Sequence, residues 1–425
     1  MKSTLEYFEE ISKIPRCSYE AEKMQEFLVL EAKKLHYDVE IDSFGNILCK
    51  KGKPKICLQS HYDMVCLGDA PNIELVKENN ILKTKNSTLG ADNGIGVSIM
   101  LYCMQKYNDL ECLFTSDEEV GLIGATNLKL RIDAPNILNL DGEDEKEIYT
   151  GCAGGTDMQA LLELEYESLP LEAKVYKAQV IGLRGGHSGI DIDKNIASSA
   201  KVISKFLSKF DCDLIELSAG ERRNSIAKGA TAIFTSEDII ESDDDHVVVE
   251  RVQNIYSKKI KNSNKIIDSL HAFSQGVRSW NKEYGIPDNS ANIGIVETKD
   301  DMAKIIISLR FMDDLRGDEL SSETEAFFKV CGFSTAILSS HGAWTPNVGD
   351  FSNRVKNTIS KYVPNAEFKA IHAGLECGIL ISTQKEEKEA ISIGPIIRSP
   401  HSIREECDLD SVERIRSAVE EIISL

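Results

Sequence analysis

The sequence predicts an α/β fold built from two domains, one of them interrupted by an inserted module, and three observations carry that prediction. The first third repeats one grammar: a short β-rich apolar run, a turn containing Gly or Asp, then a helical stretch. Near Ala173 this pattern gives way to another, and after ILSSHGAWTPN the α/β pattern returns. The chain has 425 residues, more than a single ordinary core accommodates. The predicted segments are 1–172 and 347–425 for the interrupted α/β domain and 173–346 for an inserted α+β module.

Taken in order, the opening stretch MKSTLEYFEEISKIPRCSYEAEKMQEFLVLEAKKL has apolar residues at helical spacing. PKICLQSHYDMV reads as a strand, LGADNGIGVSIMLYCMQKY as a turn entering a helix, LECLFTSDEEVG as a strand reaching a turn, and NILNLDGEDE as another. In the inserted module, KVYKAQVIGLRGGHSG is strand-like and NIASSAKVISKFLSKF helix-like. The acidic run Glu241 to Asp245 lacks the Gly and terminal Glu of an EF-hand loop, so it reads as a solvated helix start. Gly-rich HAGLECG and strand-like AISIGPII follow the module.

With Lys plus Arg at 49 and Asp plus Glu at 69, the net charge is −20. Such a surface repels phosphate backbones and anionic headgroups, which argues against nucleic-acid and membrane partners. No uncharged apolar run reaches membrane-spanning length, and the opening stretch has neither a signal-peptide core nor an Arg-rich transit pattern, so a cytoplasmic location is expected. The eleven cysteines are scattered without a CxxC pair. They are expected to be reduced, mostly buried thiols; Cys57, Cys103 and Cys112 lie in apolar runs where cysteine acts as a small hydrophobe.

Five segments place His, Asp or Glu at the end of an apolar run: Ser60-His61-Tyr62-Asp63, Gly90-Ala91-Asp92-Asn93, Asp117-Glu118-Glu119, Asp141-Gly142-Glu143 and Ser399-Pro400-His401. Taken singly, a buried His is more often a satisfied core residue, and paired acids at a turn are usually a solvated helix start. Together they are what a mixed nitrogen and oxygen site for two divalent metals requires, with one carboxylate to bridge the ions. Strand ends in open α/β sheets are where such groups gather. Positions i and i+2 of a strand share a face, so Asp63 could orient the ring of His61. Of Glu118 and Glu119, one is left to ligate metal and the other to take a proton from water.

The motifs LQSHYDMV, TLGADNGIGVS, TSDEEVGLIGATNL, IYTGCAGGTD, LRGGHSGIDI, HAGLECGIL and SIGPIIRSPHS, in that order, resemble the M20 family of di-zinc exopeptidases, specifically its aminoacyl-histidine dipeptidase branch. The resemblance implies a two-domain di-zinc exopeptidase fold, with the inserted module as a lid and dimerisation domain. It implies Asp92 as the bridging ligand, His61 and Asp141 on one metal, Glu119 and His401 on the other, Asp63 supporting His61, and Glu118 as general base. It also implies a cis peptide bond at Asp92–Asn93. In the lid, His187 would stabilise the oxyanion, usually in the partner subunit's active site, and Asn224 would contact substrate, although Ala227 stands where the family usually has Pro. Arg310 is suited to bidentate capture of a substrate carboxylate, but a strand Arg is as often structural. Gly374 and Glu376 lie where the family has a substrate-binding loop.

The function so implied is hydrolysis of dipeptides, Xaa-His and related, by a cytoplasmic homodimer carrying two divalent ions, zinc first, with manganese or cobalt as alternatives. An aminoacylase or deacylase on the same scaffold, and a non-catalytic metal-dependent binding protein, are the competing readings.

Overall fold

A computed structural model describes residues 1–384 and 386–424. It divides into two compact units: residues 1–152, 344–370 and 375–425 form the first, and 153–343 with 371–374 the second. The first boundary thus falls twenty residues before the predicted 172/173. The reason is the strand Gly154–Glu163, which pairs along its whole length with Met302–Phe311 on one side and with Ser334–His341 on the other. That pairing commits the segment to the second sheet, a long-range fact that local sequence pattern does not carry. The second boundary falls at 343/344 instead of 346/347, because Trp344 bridges back to Cys152.

The first unit is built on an eight-stranded mixed sheet. Its order is Asp38–Ile41, Ile47–Lys51, Leu110–Thr115, Ile56–His61, Asn136–Asn139, Glu389–Ser392, Glu147–Cys152, Glu367–Ile371. The central strands Leu110–Thr115, Ile56–His61, Asn136–Asn139 and Glu389–Ser392 run parallel. Ile56–His61 and Leu110–Thr115 are buried at every position, as continuous apolar runs in a sheet covered on both faces should be. Helices supply the cover. Thr4–Ile11 starts with a capping box between Ser3 and Glu6 and buries Tyr7, Phe8 and Ile11. Leu409–Ile423 is capped by Asp408 and buries Leu409, Val412, Ile415, Val419 and Ile422 along one stripe. A four-stranded sheet (Leu75–Glu78, Ile81–Thr84, Glu406–Asp408, Ile397–Arg398) fixes the hairpin between residues 398 and 406 against the strands that precede Asn86.

The second unit is a nine-stranded antiparallel sheet. Along it lie Val247–Val252, Val175–Val180, Ala230–Thr235, Asp213–Ala219, Ile286–Lys299, Met302–Phe311, Gly154–Glu163 and Ser334–His341, with Gly276–Asn281 paired to Ile286–Lys299. Helices Ser199–Leu207, Ser263–Ala272 and Asp314–Val330 contribute Ile203, Phe206, Ile266, Leu270, Leu320 and Phe328 to its core. Residues 241–245 form an irregular segment that feeds the strand Val247–Val252, not a helix start. The β-branched run after Asp245 favours a strand, and the acids stay at the surface.

One cysteine expectation is corrected. Cys17 and Cys66 are joined as a disulfide, with Cα atoms 5.6 Å apart, while the other nine are free. Cys17 stands in the polar stretch PRCSYE, whereas Cys66 stands in the apolar run MVCL, 49 positions further along the chain, so only the folded path of the chain reveals the pair. Among the described residues no helix is long and apolar enough to cross a membrane.

Two measurements follow from this packing. Alkylation of the unfolded chain without reductant, read by mass spectrometry, should modify nine cysteines, and eleven only after reduction. Gly96 allows its helix to lie on the sheet: a Cβ there would fall 2.8 Å from Leu140 O and closer still to Asn93 Oδ1 and Ser60 Oγ. Gly96→Ala should therefore cost about 1–3 kcal/mol in urea unfolding.

Candidate active site

The parallel strands of the first unit all deliver their carboxyl ends to one edge, and the polar residues follow directly. His61 is the last residue of its strand, Ser116–Glu119 follow Thr115, Asp141 lies two residues beyond Asn139, and the chain beyond Ser392 leads to His401. Asp92 enters from a different direction, near the start of the helix Ala91–Lys106. Its two oxygens face two histidines: Oδ1 lies 3.1 Å from His61 Nε2 and Oδ2 lies 3.0 Å from His401 Nε2. His61 Nε2 is also 3.3 Å from Asp141 Oδ1, and His401 Nε2 is 2.8 Å from Glu119 Oε2. Donor atoms of His61, Asp92 and Asp141 fall within 4.8 Å of one another, as do those of Asp92, Glu119 and His401, and those of His61, Glu118 and Glu119. The Asp92–Asn93 peptide bond is cis, and Asn93 Nδ2 donates to Asp141 Oδ1 at 2.6 Å.

Asp63 is fully buried and joins two of these segments. Its Oδ1 lies 3.3 Å from His61 Nδ1 and accepts from the Glu118 N–H at 3.0 Å, while Oδ2 accepts from Ser18 Oγ at 2.7 Å and from the Glu119 N–H at 3.4 Å. One carboxylate thus orients the imidazole and holds the turn carrying both glutamates. Burial opposes its charge, but bonds from His61 and Ser18 hold its pKa below the ordinary value.

The donor set suits divalent metal ions. Imidazole nitrogens and carboxylate oxygens match zinc, manganese and cobalt. Negative charge is also crowded here beyond what the side chains neutralise. Burial, with His61 acting against it and Glu119 and Asp141 adding to it, pushes Glu118 well up. Burial and Asp92 push Glu119 to about 7 and Glu143 to about 8. Glu119 Oε1 is buried with no hydrogen-bond partner among the described residues, as an atom reserved for a cation would be.

Glu376 belongs to the same unit and is fully buried. Its Oε2 accepts from Gln59 Nε2 at 2.5 Å and Thr115 Oγ1 at 2.8 Å. Burial raises it to about 7. Gly374, two residues before it in the chain, falls in the second unit with the segment 371–374.

The second unit gathers the remaining residues. The short strand Gly186–His187 pairs with Ser225–Ile226, and Asn224 O accepts from the Ser188 N–H at 2.9 Å. His187 Nδ1 accepts from the N–H groups of Gly189 and Ile190, both at 3.1 Å, which in the neutral ring leaves the proton on Nε2. Gly189 is required by a close approach: a Cβ would fall 3.1 Å from Arg310 Nε and overlap His372 O. Arg310 sits mid-sheet, paired with Ser290 and Gly155. His372 Nε2 lies 2.8 Å from Ser290 Oγ, and burial with the neighbouring Arg310 lowers it to about 3, so it stays neutral.

Several residues here are not predicted by the sequence. Glu143 lies at the end of the segment Asp141-Gly142-Glu143 but carries no assigned role there. His372 opens the motif HAGLECG but carries no assigned role there, and Arg16 and Glu405 give no signal, because a charged side chain in a polar stretch reads as solvated.

No family model matches the chain. A curated cytosol non-specific dipeptidase of Escherichia coli (strain K12) is 31% identical over 468 aligned residues, covering 98% of this chain and 96% of that protein. Among solved structures, aminoacylhistidine dipeptidase from Vibrio alginolyticus matches with a TM-score of 0.77 and 25% identity, over 99% of this chain and 96% of that one. An M20 family metallo-carboxypeptidase, Sso-CP2 from Sulfolobus solfataricus, shares the fold at a TM-score of 0.58 and 15% identity, over 100% and 99% of the two chains. With near-complete coverage at this identity, and with two histidines sharing one aspartate at the sheet's carboxyl edge, the chain belongs to the M20 family of metallopeptidases, in the branch of the aminoacyl-histidine and cytosol non-specific dipeptidases.

Proposed function

We propose that the chain hydrolyses dipeptides, Xaa-His and related ones, using two zinc ions held by His61, Asp92, Asp141, Glu119 and His401. The observation that carries this reading is the arrangement of Asp92, with one oxygen 3.1 Å from His61 and the other 3.0 Å from His401. A paired divalent centre, when bound, polarises the scissile carbonyl and makes water acidic enough to attack near neutral pH.

The chain's own residues do the rest. Glu118 takes the proton of the attacking water and returns it to the leaving amine, a role open to it because it is not one of the five ligands. Asp63 keeps His61 turned toward Asp92 and fixes the backbone of Glu118 and Glu119. In the second unit, His187 would donate from Nε2 to the developing oxyanion, and the tautomer set by Gly189 and Ile190 supports that role. Arg310 would pair with the substrate carboxylate, Asn224 and the loop of Gly374 would contact the substrate, and Glu376 would receive the free amino group. A cytoplasmic homodimer in which His187 serves the partner subunit's site completes the reading.

Two outcomes test it. Metal-stripped protein should regain cleavage of a dipeptide panel on addition of zinc, manganese or cobalt, and should leave N-acetyl amino acids intact. Cleavage of the acyl compounds alone would make it a deacylase, and no turnover at all would favour a binding protein. Glu118→Ala should lose about 10²- to 10⁴-fold in kcat while keeping both metals. Asp92→Ala should lose metal as well, by elemental analysis after dialysis; equal metal loss in both variants would refute the separate roles.

A further inference from the structure

The backbone around Asp92 is held by two buried charged residues that are distant from it in sequence. The first N–H groups of a helix have no partner within it, and the residue before this helix, Gly90, adopts a left-handed φ of 66° with no side-chain cap of its own. A glutamate more than three hundred residues away takes that place. Glu405, 2% exposed, accepts through Oε2 from Leu89 N–H at 2.8 Å and Gly90 N–H at 2.9 Å, and through Oε1 from Ala91 N–H at 2.8 Å and Asp92 N–H at 3.3 Å. Glu405 lies four residues after His401, on the hairpin fixed by Ile397–Arg398 and Glu406–Asp408.

Arg16 holds the same segment through its carbonyl. Its guanidinium, 1% exposed, donates to Gly90 O through Nη2 and to Tyr62 O and Asp63 O through Nη1, at 3.3 and 3.0 Å. Three stretches that are distant in sequence are thereby joined at backbone level: residues 62–63 beside His61, residues 89–92, and the hairpin of His401. A side chain can rotate, but a backbone bonded at both its N–H and C=O groups has little freedom to shift.

We propose that Glu405, opposed by Arg16, is a positioning residue of the two-metal centre: its carboxylate fixes the backbone of Leu89–Asp92 so that Asp92 presents one oxygen to each half of the site, coupling His401 to Asp92. The inference rests on the ligand assignment proposed above. A carboxylate with four donors cannot be copied by an amide, since the NH₂ group of Gln would face N–H groups it cannot accept from.

The test compares Glu405→Gln with a matched control, Glu111→Gln. Glu111 is also fully buried and caps backbone N–H groups, those of Asp133 and Ala134, but at a place remote in role from the ligands. Full-length proteins are titrated with zinc in chelator buffers, loaded with cobalt for visible absorption, and assayed on a dipeptide. Glu405→Gln should bind zinc about 10- to 100-fold more weakly, shift the cobalt bands, and lose kcat at saturating metal with KM little changed. Glu111→Gln should lose stability without those shifts. If Glu405→Gln does not fold, Arg16→Lys, which cannot reach Gly90, Tyr62 and Asp63 together, should give the same cobalt change. Wild-type zinc affinity and an unaltered cobalt spectrum in the variant that folds would overturn the positioning role alone. A wild-type protein that binds fewer than two ions would instead overturn the two-metal reading and this proposal with it.

Discussion

A carboxylate that faces two imidazoles at once leaves little tolerance in its backbone. Asp92 offers Oδ1 to His61 and Oδ2 to His401 at nearly equal distances, 3.1 and 3.0 Å, so its position must satisfy both contacts together. Most of the first unit can be understood as the means of holding it. The parallel strands bring His61, Glu118, Glu119 and Asp141 to one edge from separate places in the chain, and the helix behind Asp92 lies close enough to the sheet that only glycine fits at position 96.

The same arrangement crowds negative charge. Asp92, Glu118, Glu119, Asp141 and Glu143 are brought together where burial already disfavours carboxylate anions, and the upward shifts of Glu119 and Glu143 express both effects. Such a cluster is neutralised either by protons on the raised carboxylates or by a bound cation. The donor types and the buried Glu119 Oε1 are consistent with divalent ions in that role. Asp63 and Glu405 are a different kind of carboxylate. Each is fully used by hydrogen bonds from the chain, so their charge orients other groups and is not available to a ligand.

The second unit solves a different problem with antiparallel strands. A central strand places Arg310 between Ser290 and Gly155, and Gly189, two residues after His187, lets that loop pass against Arg310 and the carbonyl of His372. The polarity of His187 comes from its own turn: two backbone N–H groups claim Nδ1 and leave Nε2 as a donor.

Much of the first unit is legible in the sequence because its signals are local. Apolar runs of strand length end in His61, Thr115 and Asn139, and the residue types beyond them already carry the chemistry of a mixed nitrogen and oxygen site. Sequence spacing places Asp63 two positions after His61, although the strand ends at His61 and the bond between them is made just beyond it. The ordered motifs, from LQSHYDMV to SIGPIIRSPHS, are enough to name the family. What the tertiary structure alone decided involves partners that are far apart in the chain. The bond between Cys17 and Cys66, the assignment of residues 153–172 to the second sheet, and the separation of Gly374 from Glu376 all depend on strand pairing and chain path. Arg16 and Glu405 are the plainest cases, since each stands in a polar stretch and would be read as solvated. Their burial and their partners, the carbonyl of Gly90 and the N–H groups of Leu89 to Asp92, exist only after the chain has folded, because a hydrogen bond across three hundred residues leaves no periodic or compositional trace.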